Sequence, residues 1–306
     1  MEGALTLQFS SQAMAAIRRI TRELGDLQRQ IASGAKHADL QGFAGSAAQL
    51  LSARGLKASA DARGSVLGQL QARFGVQAAA LHQVSDAAQL LSKSIREAIA
   101  ANDGRGIAVE LEMSFASAVA ALNETWNGQP MFGGERQGEG PIKIRTLQDL
   151  QAANGPDGIY DEALRHQTID LGQGPVVIAK KASELSSGLF DTMLQLKILL
   201  DGAGGSIGQP ISAQQTQQLQ NIAIALEAEA AGLVTEEGRT GQLSSRFEDE
   251  QIRLIARSDL LTKEIGDQAD ADVAAATVKL STLMTQYQAT AKTFSELSRL
   301  SLLDYL

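Results

Sequence analysis

Apolar residues recur along this chain in alternating steps of three and four. Near the N-terminal end they fall at Ile17, Ile20, Leu24, Leu27 and Ile31. Near the C-terminal end the rhythm returns at Val273, Ala276, Leu280, Leu283, Tyr287, Thr290, Phe294 and Leu297. A period near 3.5 keeps one face of a helix turned toward a partner helix, so both ends read as coiled-coil seams. The most regular stretch lies between them. Leu67, Phe74, Leu81, Ala88 and Ile95 recur every seventh residue, with Leu70, Gln77, Val84, Leu91 and Ala98 as the companion row. A repeat sustained over about four heptads supports a coiled coil rather than an ordinary amphipathic helix.

The punctuation between these stripes divides the chain. A first helix spans 10–33 and closes at Ser33-Gly34, where glycine can take a left-handed cap. A loop covers 34–46, and a long helix runs over 47–101. At 1.5 Å per residue that helix would be roughly 80 Å long. Asn102-Asp103-Gly104 breaks it with turn residues. A third helix, 106–123, sets Ile107, Leu111, Phe115, Val119 and Leu122 on one face. The segment 127–187 then holds four of the five prolines and many glycines, with strand-like runs at 142–145, 168–171 and 176–178. Helix resumes over 188–201, stops at Gly202-Ala203-Gly204-Gly205, and runs again over 212–267, with Gly238 and Gly241 as points of interruption. A terminal helix covers 269–300.

The fold class is therefore mainly α: an elongated antiparallel helical, coiled-coil rod whose N- and C-terminal helices pair, carrying one small β-rich or mixed outer domain. The division expected is 1–46 as an N-terminal assembly helix and loop, 47–126 as rod helices and 127–187 as the small outer domain. Residues 188–268 follow as returning rod helices and 269–306 as the C-terminal assembly helix. The apolar end of the chain, Leu300, Leu302 and Leu303 included, calls for cover, because chain termini are normally polar and frayed. The N-terminal helix and neighbouring subunits are the expected cover.

Composition narrows the function. Aromatic residues make up only 4%, which suits long helices with small contact residues more than an aromatic-rich enzyme core. A net charge of −8 speaks against a nucleic-acid backbone as partner. No run of about 18 apolar residues is present to insert in a bilayer, and residues 1–10 lack the basic-then-apolar form of a cleaved secretory signal. The absence of cysteine removes disulfides, thiolate nucleophiles and cysteine metal sites.

No residue constellation makes a case for catalysis. His37, His82 and His166 have no metal-ligand spacing, and no serine sits in a Gly-x-Ser-x-Gly elbow. Gly133-Gly134 and Gly202–Gly205 lack the residues that complete a phosphate loop and read as turns. Asp270 and Asp272 belong at a helix start, where negative charge is favourable. Glu236-Glu237 and Glu248-Asp249-Glu250 read as solvated faces with Arg239, Arg246 and Arg253 as partners. The chain is read as a non-enzyme without cofactor or metal.

Several segments, in order, resemble the flagellin superfamily. Leu27-Gln28-Arg29-Gln30-Ile31-Ala32-Ser33-Gly34 is similar to the end of its first helix, and Ile107-Ala108-Val109-Glu110-Leu111 to its third. Met131-Phe132-Gly133-Gly134 resembles the opening of its small outer domain, and Asp270-Ala271-Asp272-Val273-Ala274 the acidic start of its terminal helix. The ending Leu297-Ser298-Arg299-Leu300-Ser301-Leu302-Leu303-Asp304-Tyr305-Leu306 is most like that of the hook–filament junction proteins, the third hook-associated protein or FlgL type. The chain departs from the family at its start, Met1-Glu2-Gly3-Ala4-Leu5, and at Ala38-Asp39-Leu40-Gln41-Gly42, where the family has Asp-Asp-Pro.

The resemblance implies a structural subunit of the bacterial flagellum that joins the hook to the flagellin filament by pairing its terminal helices in a tubular assembly. It implies export through the type III apparatus without a cleaved signal peptide, and an extracellular place at the hook–filament junction, where the protein serves motility. Implied partners are copies of itself, flagellin, another hook-associated protein and an export chaperone, with no nucleic acid and no membrane insertion. The expected assembly interface comprises Ile17, Ile20, Leu24, Leu27, Ile31, Leu280, Leu283, Tyr287, Phe294, Leu297, Leu300, Leu302 and Leu303. A divergent flagellin or flagellin-like filament subunit is the alternative; a cytoplasmic coiled-coil adaptor is the alternative of a different class.

Overall fold

The computed structural model describes residues 2–37, 39–153, 156–170 and 174–303; for 2–10, 44, 156, 157 and 297–303 it describes backbone alone. The order is α1 (Glu2–Ser33), a 3-10 turn (Leu40–Ser46), α2 (Ala47–Ala101), α3 (Ile107–Leu122), β1 (Thr125–Trp126) and β2 (Gln129–Pro130). It continues with α4 (Leu147–Ala152), α5 (Pro156–Ile159), β3 (Thr168–Asp170), β4 (Pro175–Val177), α6 (Ala182–Gly202), α7 (Ala213–Ala269) and α8 (Val273–Leu303). The protein is mainly α, with two small antiparallel two-stranded sheets, β1–β2 and β3–β4. It divides into two compact units, 1–62 with 254–306, and 63–253.

In the first unit α1 ends at Gly34, whose φ of +69° is the left-handed cap its sequence requires. The Gly34 N–H donates to the Gln30 carbonyl at 2.8 Å. From there the strand-like link Gly34–Lys36 pairs with the α7–α8 link: Lys36 N–H donates to Ala269 O and Ala271 N–H to Gly34 O, each 2.8 Å. The Lys36 ammonium reaches the carbonyls of Asp267 at 2.6 Å and Gln268 at 3.2 Å. A cation there satisfies orphan carbonyls at the negative end of α7. Asp272 opens α8, its carboxylate accepting from Ala275 N–H at 2.9 Å. Helix α1 begins at Glu2 rather than at residue 10, since no proline or turn pair stops it earlier.

The second unit holds the main core. All five residues of the row from Leu67 to Ile95 are buried, as are Leu70, Gln77, Val84 and Leu91 of the companion row. Ala98 is partly buried against the same cluster. Two close contacts set α2 against α7. Ser85 Oγ donates to the Ala230 carbonyl at 3.3 Å, and Ser92 Oγ to the Ala223 carbonyl at 3.1 Å. Serines and alanines seven apart on each helix let the backbones approach and run antiparallel. Aromatic pairs Phe74–Phe247 and Phe115–Phe190, with ring centroids 5.7 and 5.6 Å apart, fill the space between helices.

Three further details differ from the sequence reading. The run 142–145 is not a strand: Ile142 makes a lone bridge to Tyr160. The N–H groups of Arg145 and Thr146 are taken by the Asp149 carboxylate, at 3.1 and 2.9 Å, in the cap that opens α4. Helix α6 starts at Ala182, not 188, and Gly188 is an internal contact residue: a Cβ there would strike the Glu229 carboxylate. Gly238 and Gly241 do not interrupt α7. Each costs the helix about 1 kcal/mol relative to alanine, and the buried Leu233, Thr240 and Phe247 on either side offset that by packing.

Candidate assembly surface

The terminal helices α1 and α8 pack antiparallel within one chain. Ile20 and Leu27 of α1 are buried against Ala276 and Leu283 of α8, and Leu24, Ile31 and Leu280 pack around them partly buried. Fully burying a Leu or Ile side chain contributes about 1.5–3 kcal/mol relative to exposure, so this short seam is a modest source of cohesion. Ile17 and Phe294 are half-buried, whereas Tyr287 is 38% exposed. The side chains of Leu297, Leu300, Leu302 and Leu303 lie outside the described residues. Helix α1 thus covers α8 from Ala276 to Leu283, while the cover expected for Leu300, Leu302 and Leu303 lies outside the described residues. Around the seam Met14 on α1 and Val273, Val278 and Met284 on α8 stay exposed.

In the second unit the neck of the β-rich segment is held by polar side chains from α2 and α7. Buried Arg73 donates to the Gln167 side chain and, at 3.5 Å, to the Met131 carbonyl. Removal from water depresses its pKa. Gln77 Nε2 donates to the Ile178 carbonyl at 3.3 Å and to the Thr240 hydroxyl at 3.2 Å. Glu236 pairs with Lys180 at 3.1 Å and Arg239 at 2.6 Å. The reading of Glu236 as a solvated carboxylate is thereby corrected: it is 4% exposed, turned under the chain that leaves β4. This neck was invisible in sequence, because Gln77 occupies a seam position whose period predicts only burial.

Gly134 shows why the Met131–Gly134 turn carries glycine. Its φ is +67°, and a Cβ would run into the Arg165 carbonyl oxygen. Met131 and Phe132 are fully buried beneath it.

The histidines lie apart. His82 faces Asp86 at 3.4 Å and Glu237 at 3.5 Å, His166 accepts or donates to Glu184 at 2.8 Å, and His37 packs edge-on against Phe43. Among the described residues no group of three His, Asp or Glu side chains converges as metal ligands, and no helix is long and apolar enough to cross a membrane.

This geometry defines a mainly α chain whose terminal helices pair over a short apolar seam. Residues 222–306 match the bacterial flagellin C-terminal helical region. The resemblance to the flagellin superfamily is thereby borne out over α8 and most of α7. No curated protein matches the chain in sequence. Among solved structures, the chain is similar to a proposed flagellar hook-associated protein from Vibrio parahaemolyticus. That likeness has a TM-score of 0.57 and 14% identity, covering 72% of this chain and 96% of that one, and it is a likeness of fold. Bacillus cereus FlgL aligns at 17% identity over 62% of this chain and 97% of its own, with a TM-score of 0.41.

Proposed function

We propose that this chain is a structural subunit of the bacterial flagellum, placed at the hook–filament junction, where its paired terminal helices enter a tubular assembly of copies. The observation that carries the reading is α1 packed on α8 through Ile20, Leu27, Ala276 and Leu283, within a chain whose residues 222–306 carry the flagellin C-terminal helical region. A two-helix pair buries one stripe on each helix and leaves the remainder to be covered by neighbours. The likeness of residues 297–306 to the hook–filament junction proteins supports the junction over the filament. The protein acts by packing, not by catalysis. Its partners are copies of itself, flagellin, a second hook-associated protein and an export chaperone, and its place is outside the cell, reached without a cleaved signal.

A filament subunit is the second reading, favoured by the flagellin character of residues 222–306. Electron microscopy of sheared flagella labelled for this chain separates the readings. Label confined to the hook end supports the junction protein, label along the filament supports a flagellin, and unlabelled flagella reject both in favour of a cytoplasmic adaptor.

A further inference from the structure

Three arginines stand unpaired on α1. Residues 11–22 hold Arg18, Arg19 and Arg22 and no acidic residue, in a chain whose net charge is −8. All three are exposed, and none makes an ion pair among the described residues. Glu23, the acid that follows, is half-buried and pairs with none of them, whereas Arg29 further along is held by Asp26. Met14, 48% exposed, lies one turn before Arg18. Met14, Arg18 and Arg22 therefore share one stripe at steps of four. It is the side of α1 that the seam with α8 leaves open.

The second unit carries the complementary surface. Between α2 and α3 lies an open cleft of about 300 Å³, with Ala79, Ala87, Leu90 and Met113 as its apolar lining. Leu90 is 55% and Met113 62% exposed, and Val109, 60% exposed, stands one turn before Met113. Asp86 and Glu110 line the same cleft, and no lysine or arginine does. Asp86 faces His82 at 3.4 Å, His82 faces Glu237 of α7 at 3.5 Å, and Glu110 accepts from Ser114 Oγ at 3.3 Å. The surface thus sets three carboxylates against one histidine around an apolar trough. Gln83 Nε2 donates to Ser117 Oγ at 3.2 Å, tying the two walls together. Such a trough between neighbouring helices accepts an amphipathic helix, and its charge rejects an acidic one and favours a basic one. Lengths agree: Ala79 to Leu90 rises about 16 Å and Met14 to Arg22 about 12 Å, at 1.5 Å per residue.

We propose that residues 11–22 of α1 from one copy seat on the α2–α3 cleft of another. Met14 enters beside Leu90 and Met113, its unbranched side chain filling an irregular apolar gap. Arg18 reaches Asp86, and Arg19 and Arg22 face the remaining carboxylates. Charge selects the occupant: the unpaired cations of one surface match the cleft that holds acids and no lysine or arginine. The two surfaces differ, so each copy can give one contact and receive another. The inference rests on reading the chain as a self-assembling subunit, and names one contact of that assembly.

The cysteine-free chain allows a direct test. A full-length Met14→Cys chain is mixed with a Met113→Cys chain at high concentration and oxidised, with an Ile198→Cys chain, 54% exposed on α6, as the control. The Met14→Cys and Met113→Cys chains are expected to form their mixed disulfide faster than either forms one with the control. Added salt is expected to erase much of that preference, because exposed charges are screened. Separately, Arg18→Glu and Asp86→Arg each weaken self-association roughly two- to fivefold, the worth of an exposed ion pair. The two changes in one chain restore it, with unchanged circular dichroism throughout. Cross-linking no faster than the control, a preference that salt leaves untouched, or a doubly changed chain as weak as the single variants overturns the proposal. Selective cross-linking in a protein absent from flagella would leave the contact standing and reject the flagellar reading. A flagellar protein without selective cross-linking would do the reverse.

Discussion

Ser92 Oγ on α2 lies 3.1 Å from the Ala223 carbonyl and 3.0 Å from the Glu227 carboxylate, both on α7, and its one hydroxyl proton is shared between these two acceptors. The contact exists because both helices carry small residues at the crossing, and Ser85 with Ala230 repeats it one heptad away. Enlarging this point forces two backbones apart along a shared seam. Ser92→Leu is expected to destabilise the second unit by about 1–3 kcal/mol, the usual cost of overpacking, whereas Ser92→Ala loses little beyond one hydrogen bond, about 1 kcal/mol. Denaturant unfolding of the two variants checks the order.

Gln77 is a polar residue in an apolar row. Its Nε2 bonds the Ile178 carbonyl and Thr240, while its Oε1 is buried without a partner among the described residues. Replacing this amide by leucine removes a buried unsatisfied oxygen but takes a donor from the Ile178 carbonyl, two effects of about 1–3 kcal/mol each and opposite in sign. Gln77→Leu is therefore expected to leave global stability within about 1 kcal/mol of the parent, while amide exchange rises across 176–182 as the neck loses its donor. A loss of several kcal/mol with unchanged exchange would show that the amide stabilises the fold instead of positioning the neck.

The terminal seam is short, so single truncations within it should matter. Leu283→Ala removes a nearly buried side chain and is expected to cost about 2–3 kcal/mol, the lower end for such changes because the two-helix site can partly collapse. The effect should fall on α1 and α8: limited proteolysis speeds up in 2–33 and 273–303 while the second unit keeps its unfolding midpoint.

Deleting residues 297–306 tests the assembly role of the chain end. The expected product is a soluble, helical monomer that does not enter flagella in a strain expressing it in place of the parent. Normal incorporation of the shortened chain, scored by immunolabelling, would count against the assembly reading.

Tyr160 gives a pH prediction. Burial pushes its phenol up to about 12, opposed by the hydrogen bond with Ser186 at 3.1 Å. A neutral form favoured by folding contributes stability that is whole below the unfolded value near 10 and is lost as pH rises through about 12. Tyr160→Phe has no proton to lose, and Ser186 keeps its bond to the Ala182 carbonyl at 2.8 Å. The variant is expected to unfold at higher pH than the parent in an alkaline titration followed by circular dichroism, with little difference at neutral pH.

How much of this was legible in the sequence follows from which forces are local. The long helix Ala47–Ala101, the break at Asn102–Gly104 and the cap at Gly34 are written in periodicity and turn chemistry, which act over a few residues. So is the burial of the Leu67 and Leu70 rows, because a seven-residue period allows only one face. The strand expected at 142–145 stops at a lone bridge because side chains take the N–H groups at both of its ends, Asn123 that of Ile142 and Asp149 that of Arg145.

Glu236, Arg73 and Gly188 were beyond sequence reasoning for another reason. Each is explained only by an atom distant in the chain: Lys180 for Glu236, Gln167 and Met131 for Arg73, and Glu229 for Gly188. By itself the sequence determined where helices run, where they stop and which stripe on each is apolar, since those properties arise from side chains within one or two turns. The pairing of α1 with α8 was expected from their stripes, but only the tertiary structure decided which residues of the two meet, that serine and alanine bring α2 onto α7, and that Val109 and Met113 of α3 stay exposed, because burial depends on which surfaces the whole chain brings together.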